Sequence, residues 1–310
     1  MTDCTDQPEG SEWRPPKEEE TVVALEKQAV PARIWPLRWD VTLLLVVFYL
    51  AGGAIILTQV GPWEAVREVL VNGALVASWL VAAHLLLRNT PLPESVPVRR
   101  PILELLWSLG VLALTLLLVA NAYAGWIPLP GRAFVWVIYA GVAALFLGRR
   151  YPPRAWGAAW PTRRGWLALL VVILLNVVVG VVRALLPPGE LQGIVGVDMA
   201  EALTSGRAVI IALTLTVVTA ALPEELLFRI TLQPRLARFV GVSWAIFLQA
   251  FLFSLGHLPQ KVWANELPLL LALAYTLLLD NGLIAGYLWY RQRSLPLLVI
   301  LHLLAFVRFG

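Results

Sequence analysis

The chain has little charge: Lys, Arg, Asp and Glu make up 14% of its 310 residues, against about a quarter in an ordinary soluble domain. That shortage excludes a typical soluble enzyme, and the high apolar content excludes a disordered chain. There is one cysteine, Cys4, so no internal disulfide can form. There are three histidines, His84, His257 and His302, and no HExxH motif, which excludes the helix-borne zinc protease arrangement. The first 34 residues contain no apolar run behind a basic start, so no cleaved signal peptide is expected. The net charge is +4, yet the basic residues fall in short clusters and not along one face. No nucleic-acid module is visible, and nucleic acid is not an expected partner. What the chain has in abundance is apolar surface, 59% of its residues and a mean hydropathy of +0.75. Its solvent is expected to be mostly lipid.

Residues 1–34, rich in acid, proline and lysine, are expected to form a disordered, polar, cytoplasmic tail. Beyond them, runs of spanning length lie near 41–60, 69–87, 102–126, 133–147, 166–186, 208–228, 242–257, 267–290 and 295–309. The expected fold is all-α, a polytopic transmembrane helix bundle with eight or nine spans. The loop with Arg88, Arg99 and Arg100 and the loop with Arg149, Arg150, Arg154, Arg163 and Arg164 are rich in positive charge. Arg235 and Arg238, then Arg291 and Arg293, continue the pattern at alternate connections. The positive-inside rule makes these loops and the N-terminus cytoplasmic, in an inner or plasma membrane. Tryptophans near run ends, such as Trp35, Trp63, Trp126 and Trp166, suit interfacial anchors. No internal repeat of the transporter kind is seen.

Charges inside spans are costly, about 2.5–3.5 kcal/mol each on insertion scales, so each needs a reason. The sixth run ends in Pro223-Glu224-Glu225-Leu226-Leu227-Phe228-Arg229. Glu225 and Arg229 have the i,i+4 spacing and order of an ion pair. Glu224 is turned about 100° away and faces another neighbour. Pro223 lacks an N–H and meets the carbonyl of Thr219, which predicts a kink or opening just before the acids. An ordinary helix-end salt bridge would explain this motif alone. Two histidines in separate apolar runs, His257 and His302, point instead to a site assembled across helices, with Phe253 one turn before His257 to pack on its ring. His84 reads as structural or interfacial.

Glu-Glu-x-x-x-Arg, then Phe-x-x-x-His, then a histidine in a late span is the motif order of the CPBP family, the CAAX prenyl endopeptidases and bacteriocin-processing or immunity proteins also called Abi. The chain resembles that family over roughly 200–306, including the closing segment GLIAGYLWYRQRSLPLLVILH. The resemblance divides the chain into the tail 1–34, N-terminal membrane helices 35–199 and a catalytic membrane core 200–310. It implies that Glu224 activates water, that Glu225 is its neighbour, that Arg229 orders the pair, and that His257 and His302 complete the site. The family usually has asparagine four residues after the last histidine, where this chain has Phe306; it often has glycine where this chain has Ile230. Asp280 and Asn281 could supply the missing hydrogen-bond donor, while Gly282 and Gly286 nearby suit close helix packing.

Two histidines and a glutamate, His257, His302 and Glu224, could also hold zinc or another divalent metal with an open position. The favoured reading has no metal: water activated by glutamate and histidine, because Arg229 competes for the acids. The implied activity is an intramembrane endopeptidase acting on a membrane-embedded or lipidated protein or peptide, of prenylated CAAX type or a bacterial substrate. The alternative is a non-proteolytic membrane interaction or immunity protein whose activity is weakened by Phe306. A proton-coupled transporter fits the buried acids but not the motif order. The site is expected to open to the cytoplasmic half of the bilayer.

Overall fold

Lipid offers no partner for backbone N–H and C=O groups, so spanning segments must bond within themselves. The computed structural model describes residues 35–94, 96–130, 132–185, 213–279 and 281–306, and among them every regular element is helical. The tail 1–34, the first part of the sixth run and Asp280 lie outside the described residues. The helices are α1 (Trp39–Gln59), α2 (Pro62–Leu87), α3 (Pro101–Ala124), α4 (Ala133–Gly148) and α5 (Arg163–Leu185). After them come α6, a continuous helical run over 213–240, and α7 (Val242–Gly256), which leads into a π turn at Gln260–Ala264. The chain ends in α8 (Leu269–Leu277), α9 (Asn281–Gln292) and α10 (Leu295–Phe306).

The all-α polytopic bundle read from the sequence is what the chain forms. Six stretches are long and apolar enough to cross a membrane: Trp39–Gln59, Pro62–Leu87, Pro101–Ala124, Arg163–Val182, Val242–Ala264 and Leu269–Gln292, with Ala133–Gly148 a shorter apolar helix. These account for seven of the nine expected runs. The eighth is interrupted between Leu277 and Asn281, where Leu278 turns out of helical geometry with ψ 60°. The ninth is the 12-residue α10. The sixth lies on α6, whose polar side chains set it apart from a lipid-facing span.

The α3 helix packs on α4, α2 on α5, and α8 on α1; α6 is enclosed by α3, α4, α7, α9 and α10. Every residue from Leu226 to Leu236 is buried. The outer helices turn leucines outward, among them Leu43, Leu50, Leu106, Leu117, Leu170 and Leu174, a surface that suits lipid and not water.

Two polar devices hold the inner helices. His84 is buried, with Nδ1 2.8 Å from the Tyr287 hydroxyl, so it joins α2 to α9 and stands apart from the other two histidines. Gln249 Nε2 on α7 donates to Gly282 O at 2.8 Å, and Gln233 Nε2 on α6 donates to Gly286 O at 3.0 Å. A Cβ at Gly282 would stand 3.0 Å from both Cα and Cβ of Ala250, so the two helices touch backbone to backbone there. Gly282→Leu is expected to destabilise the protein by about 1–3 kcal/mol through overpacking, read as a lower thermal midpoint in detergent.

Candidate active site

Two prolines shape α6. At Pro223 the helix opens instead of breaking: Val217–Ala221 takes π geometry, and the Leu222 N–H reaches back to Val217 O. Widening the turn relieves the clash of the proline ring with the preceding carbonyls. The backbone left without a helical donor finds others, for the Tyr139 hydroxyl donates to Val218 O at 2.6 Å. Arg132 Nη1 adds a bond to Thr219 Oγ1 at 2.5 Å. At Pro234 the pattern repeats. Leu226–Leu232 is a second π segment, and the carbonyls of Ile230 and Thr231 each accept from Arg235 Nη1 at 3.0 Å. The acids sit on Leu222–Glu225, between the two π segments.

Glu225 is 1% exposed and holds two partners. Arg229 Nε lies 3.3 Å from its Oε2, and His302 Nδ1 lies 2.9 Å from its Oε1. A buried carboxylate needs such compensation on both oxygens. The Arg229 guanidinium, itself 1% exposed, lies over the Phe253 ring with its carbon 4.4 Å from the ring centre.

Glu224 faces the other way, as a neighbour on a helix must. Its Oε2 stands 3.5 Å from His302 Nε2 and 4.0 Å from His257 Nε2. The Phe253 carbonyl is 3.0 Å from His257 Nδ1; a proton on Nδ1 makes that hydrogen bond and turns Nε2 with its lone pair toward Glu224. In the same way His302 Nδ1–H donates to Glu225 Oε1. Phe253 packs 4.7 Å from the His257 ring and edge-on to His302 and Phe228 at 6.1 and 5.3 Å. The structure therefore brings Glu224, Glu225, Arg229, Phe253, His257 and His302 into one cluster from α6, α7 and α10.

The 3.5 and 4.0 Å separations exceed a direct hydrogen bond and are of the length one water bridges. Glu225 is bound to Arg229 and His302, and among the described residues no group of three or more His, Cys, Asp and Glu side chains is placed to hold a metal ion. Of the candidate metal ligands, Glu224 faces His302 and His257 at 3.5 and 4.0 Å, and no step is routed through a metal. Asp280 lies outside the described residues, as do the side chains of Asn281 and Phe306. Ile230 is fully buried in the second π segment.

The sequence reading missed two groups. Tyr123, near the end of α3, interacts electrostatically with Glu224 and with Arg132; nothing in its sequence neighbourhood marks it. Glu104, on the first turn of α3, is fully buried against Arg235, whose Nε and Nη2 lie 3.2 and 3.1 Å from its Oε2. An acid beside Arg99 and Arg100 in a loop reads as surface charge, and only its partner 131 residues away shows otherwise.

Residues 206–306 match the family described as Rce1-like, Type II CAAX prenyl endopeptidase Rce1-like. No match was found among curated proteins or among solved structures. The C-terminal third of the chain is thus similar to that family. With the apolar helices, that similarity points to an integral membrane protein.

Proposed function

We propose that this site hydrolyses a peptide bond of a membrane-associated protein or peptide, with the attacking water held between Glu224 and the two histidines. The observation that carries the reading is the division of labour between the acids. Glu225 is bound to Arg229 and His302, while Glu224 Oε2 faces two imidazole Nε2 atoms at water-bridging distance. Glu224 accepts a proton from the water, and the water oxygen attacks the carbonyl carbon of the scissile bond. The carbonyl π pair moves to oxygen and returns as the C–N bond breaks. The leaving nitrogen keeps the bonding pair and takes the proton that Glu224 had accepted, relayed directly or through an imidazole. One bond is cleaved, one water is consumed, and an acid and an amine result.

The oxyanion needs a donor, and Phe306 cannot provide one. Tyr123 has a hydroxyl and interacts electrostatically with Glu224, and we take it as the candidate donor. Tyr123→Phe is expected to lower kcat by about 10²-fold, at the low end of the loss of one oxyanion donor, with KM little changed in steady-state kinetics. The substrate class we favour is a lipidated or membrane-embedded protein cut near its C-terminus, of prenylated CAAX type or a bacterial counterpart, reached from the cytoplasmic half of the bilayer.

The test compares new protein termini in membranes holding the wild type, Glu224→Ala, or no copy of the protein. Termini found only with wild type establish proteolysis and name the bond. Identical termini in all three, with the variant stably present, would overturn it in favour of a non-proteolytic membrane interaction or immunity role.

A further inference from the structure

We infer that Glu104 and Arg235 are a positioning pair that sets the geometry of the π segment carrying Arg229, and through Arg229 the hydrogen bonding of Glu225 and His302. The inference takes from the proposed function only that the acid–imidazole cluster is the working part of the site.

Pro234 gives α6 no N–H, and the helix changes from π to α winding just before it. A junction of that kind leaves carbonyls without helical donors, and buried carbonyls must find others. Arg235 supplies them. Its Nη1 bonds both Ile230 O and Thr231 O, inside the π segment and directly after Arg229. The rest of the same guanidinium is held from outside α6. Nε and Nη2 bind Glu104 Oε2 at 3.2 and 3.1 Å, and the guanidinium carbon lies 5.4 and 5.6 Å from the ring centres of Phe146 and Tyr151. Arg235 is fully buried and has no freedom to trade these partners.

Glu104 is fixed in turn. Its Oε1 accepts from the Tyr151 hydroxyl at 2.6 Å and from the N–H groups of Arg99 and Arg100 at 3.1 Å each, with Arg149 Nε at 4.0 Å. Tyr151 lies in the loop after α4, where burial, then the bond to Glu104, push its hydroxyl up from its ordinary range, so it stays a donor. A chain of bonded groups thus runs from that loop through Glu104 and Arg235 to the Ile230 and Thr231 carbonyls. From there the backbone leads to Arg229, and Arg229 to Glu225 and His302. If the guanidinium is lost, both carbonyls lose this donor, and α winding would restore one to Thr231 O alone, since Ile230 O would then face Pro234, which has no N–H. The segment must shift to find another donor and carries Arg229 with it relative to Glu225. Lysine at 235 keeps the charge but offers one nitrogen, too few donors to hold Glu104 and both carbonyls together.

The experiment reads the site directly and needs no substrate. With three histidines in the chain, ring-¹⁵N-histidine protein in lipid nanodiscs gives few imidazole signals. His302→Gln identifies the downfield Nδ1–H proton bonded to Glu225. In Arg235→Lys that proton is expected to move upfield or be lost, while the His84 signals stay in place and the protein retains its helical circular dichroism. A His302 signal unchanged in folded Arg235→Lys overturns the inference, since a purely structural pair would lower the melting temperature and leave this bond alone. Where Arg235→Lys does not fold, Tyr151→Phe removes one bond to Glu104 and keeps an aromatic ring beside Arg235. A smaller shift of the same proton then supports the inference, and no shift overturns it. Because hydrolysis is not measured, failure here is separate from failure of the proteolytic reading.

Discussion

Glu224→Gln is expected to lower the hydrolytic rate by about 10²–10⁴-fold, the contribution of a positioned general base, and to leave the thermal midpoint nearly unchanged. The two halves of that expectation have different origins. Glutamine has the shape of glutamate but cannot take a proton from water. Glu224 is partly exposed, at 18% of its side chain, and its neighbours are imidazoles that can be neutral, so its charge is not required to hold the fold. Glu225→Gln should behave differently. It removes the charge facing Arg229, which is buried to 1%, and breaking one side of a buried pair costs about 3–5 kcal/mol. That variant should lose both rate and stability. Kinetics and melting curves on the two purified variants separate the roles. A Glu224→Gln protein with wild-type rate would place the base elsewhere and end the proposed mechanism.

Glu104→Ala is expected to be the most damaging single change far from the acids, at about 3–5 kcal/mol. Glu104 and Arg235 are both fully buried, and alanine leaves the guanidinium with carbonyls and aromatic faces but no anion. It also strips the Arg100 N–H of its acceptor, leaves the Arg99 N–H with the Tyr151 hydroxyl alone and takes from that hydroxyl the carboxylate it donates to. The measurement is a thermal or urea unfolding curve in detergent. The paired change Glu104→Leu with Arg235→Met should recover only part of the loss: it removes both buried charges but leaves the Ile230 and Thr231 carbonyls and the Tyr151 hydroxyl without these partners. If Glu104→Ala melts like wild type, the pair has no hold on the fold.

The contrast between these residues shows what the sequence could convey. Spans facing lipid announce themselves by composition, and α1, α2, α3 and α5 fall where the apolar runs lie. The Glu-Glu-x-x-x-Arg motif and the two late histidines were legible because such residues are too costly in a membrane to be incidental. The i,i+4 reading of Glu225 and Arg229 and the packing of Phe253 on His257 needed only helix spacing, and both contacts are present. The break after Leu277 was hidden, since an apolar run reads the same whether wound or interrupted. The π segments were hidden as well: Pro223 and Pro234 signal trouble for an α-helix, but a kink and a widening share that signal. Glu104 was illegible because its meaning depends on Arg235, and no local pattern joins two residues 131 positions apart.

The enclosed middle of α6 also bears on how the chain is made. Arg229 and Arg235 lie among residues buried from 226 to 236, and each arginine costs about 2.5–3.5 kcal/mol to insert alone at a helix centre. This helix is therefore a poor independent client of the insertion machinery. Synthesis runs from the N-terminus, so Glu104 is already in place when Arg235 emerges. The second arginine thus meets its counter-charge on arrival, and Glu225 leaves the ribosome just ahead of Arg229. His302 comes last of these, with α10, so the acid–imidazole cluster is completed only after α6 and α7 have been made. The cluster is assembled after the helices that enclose it.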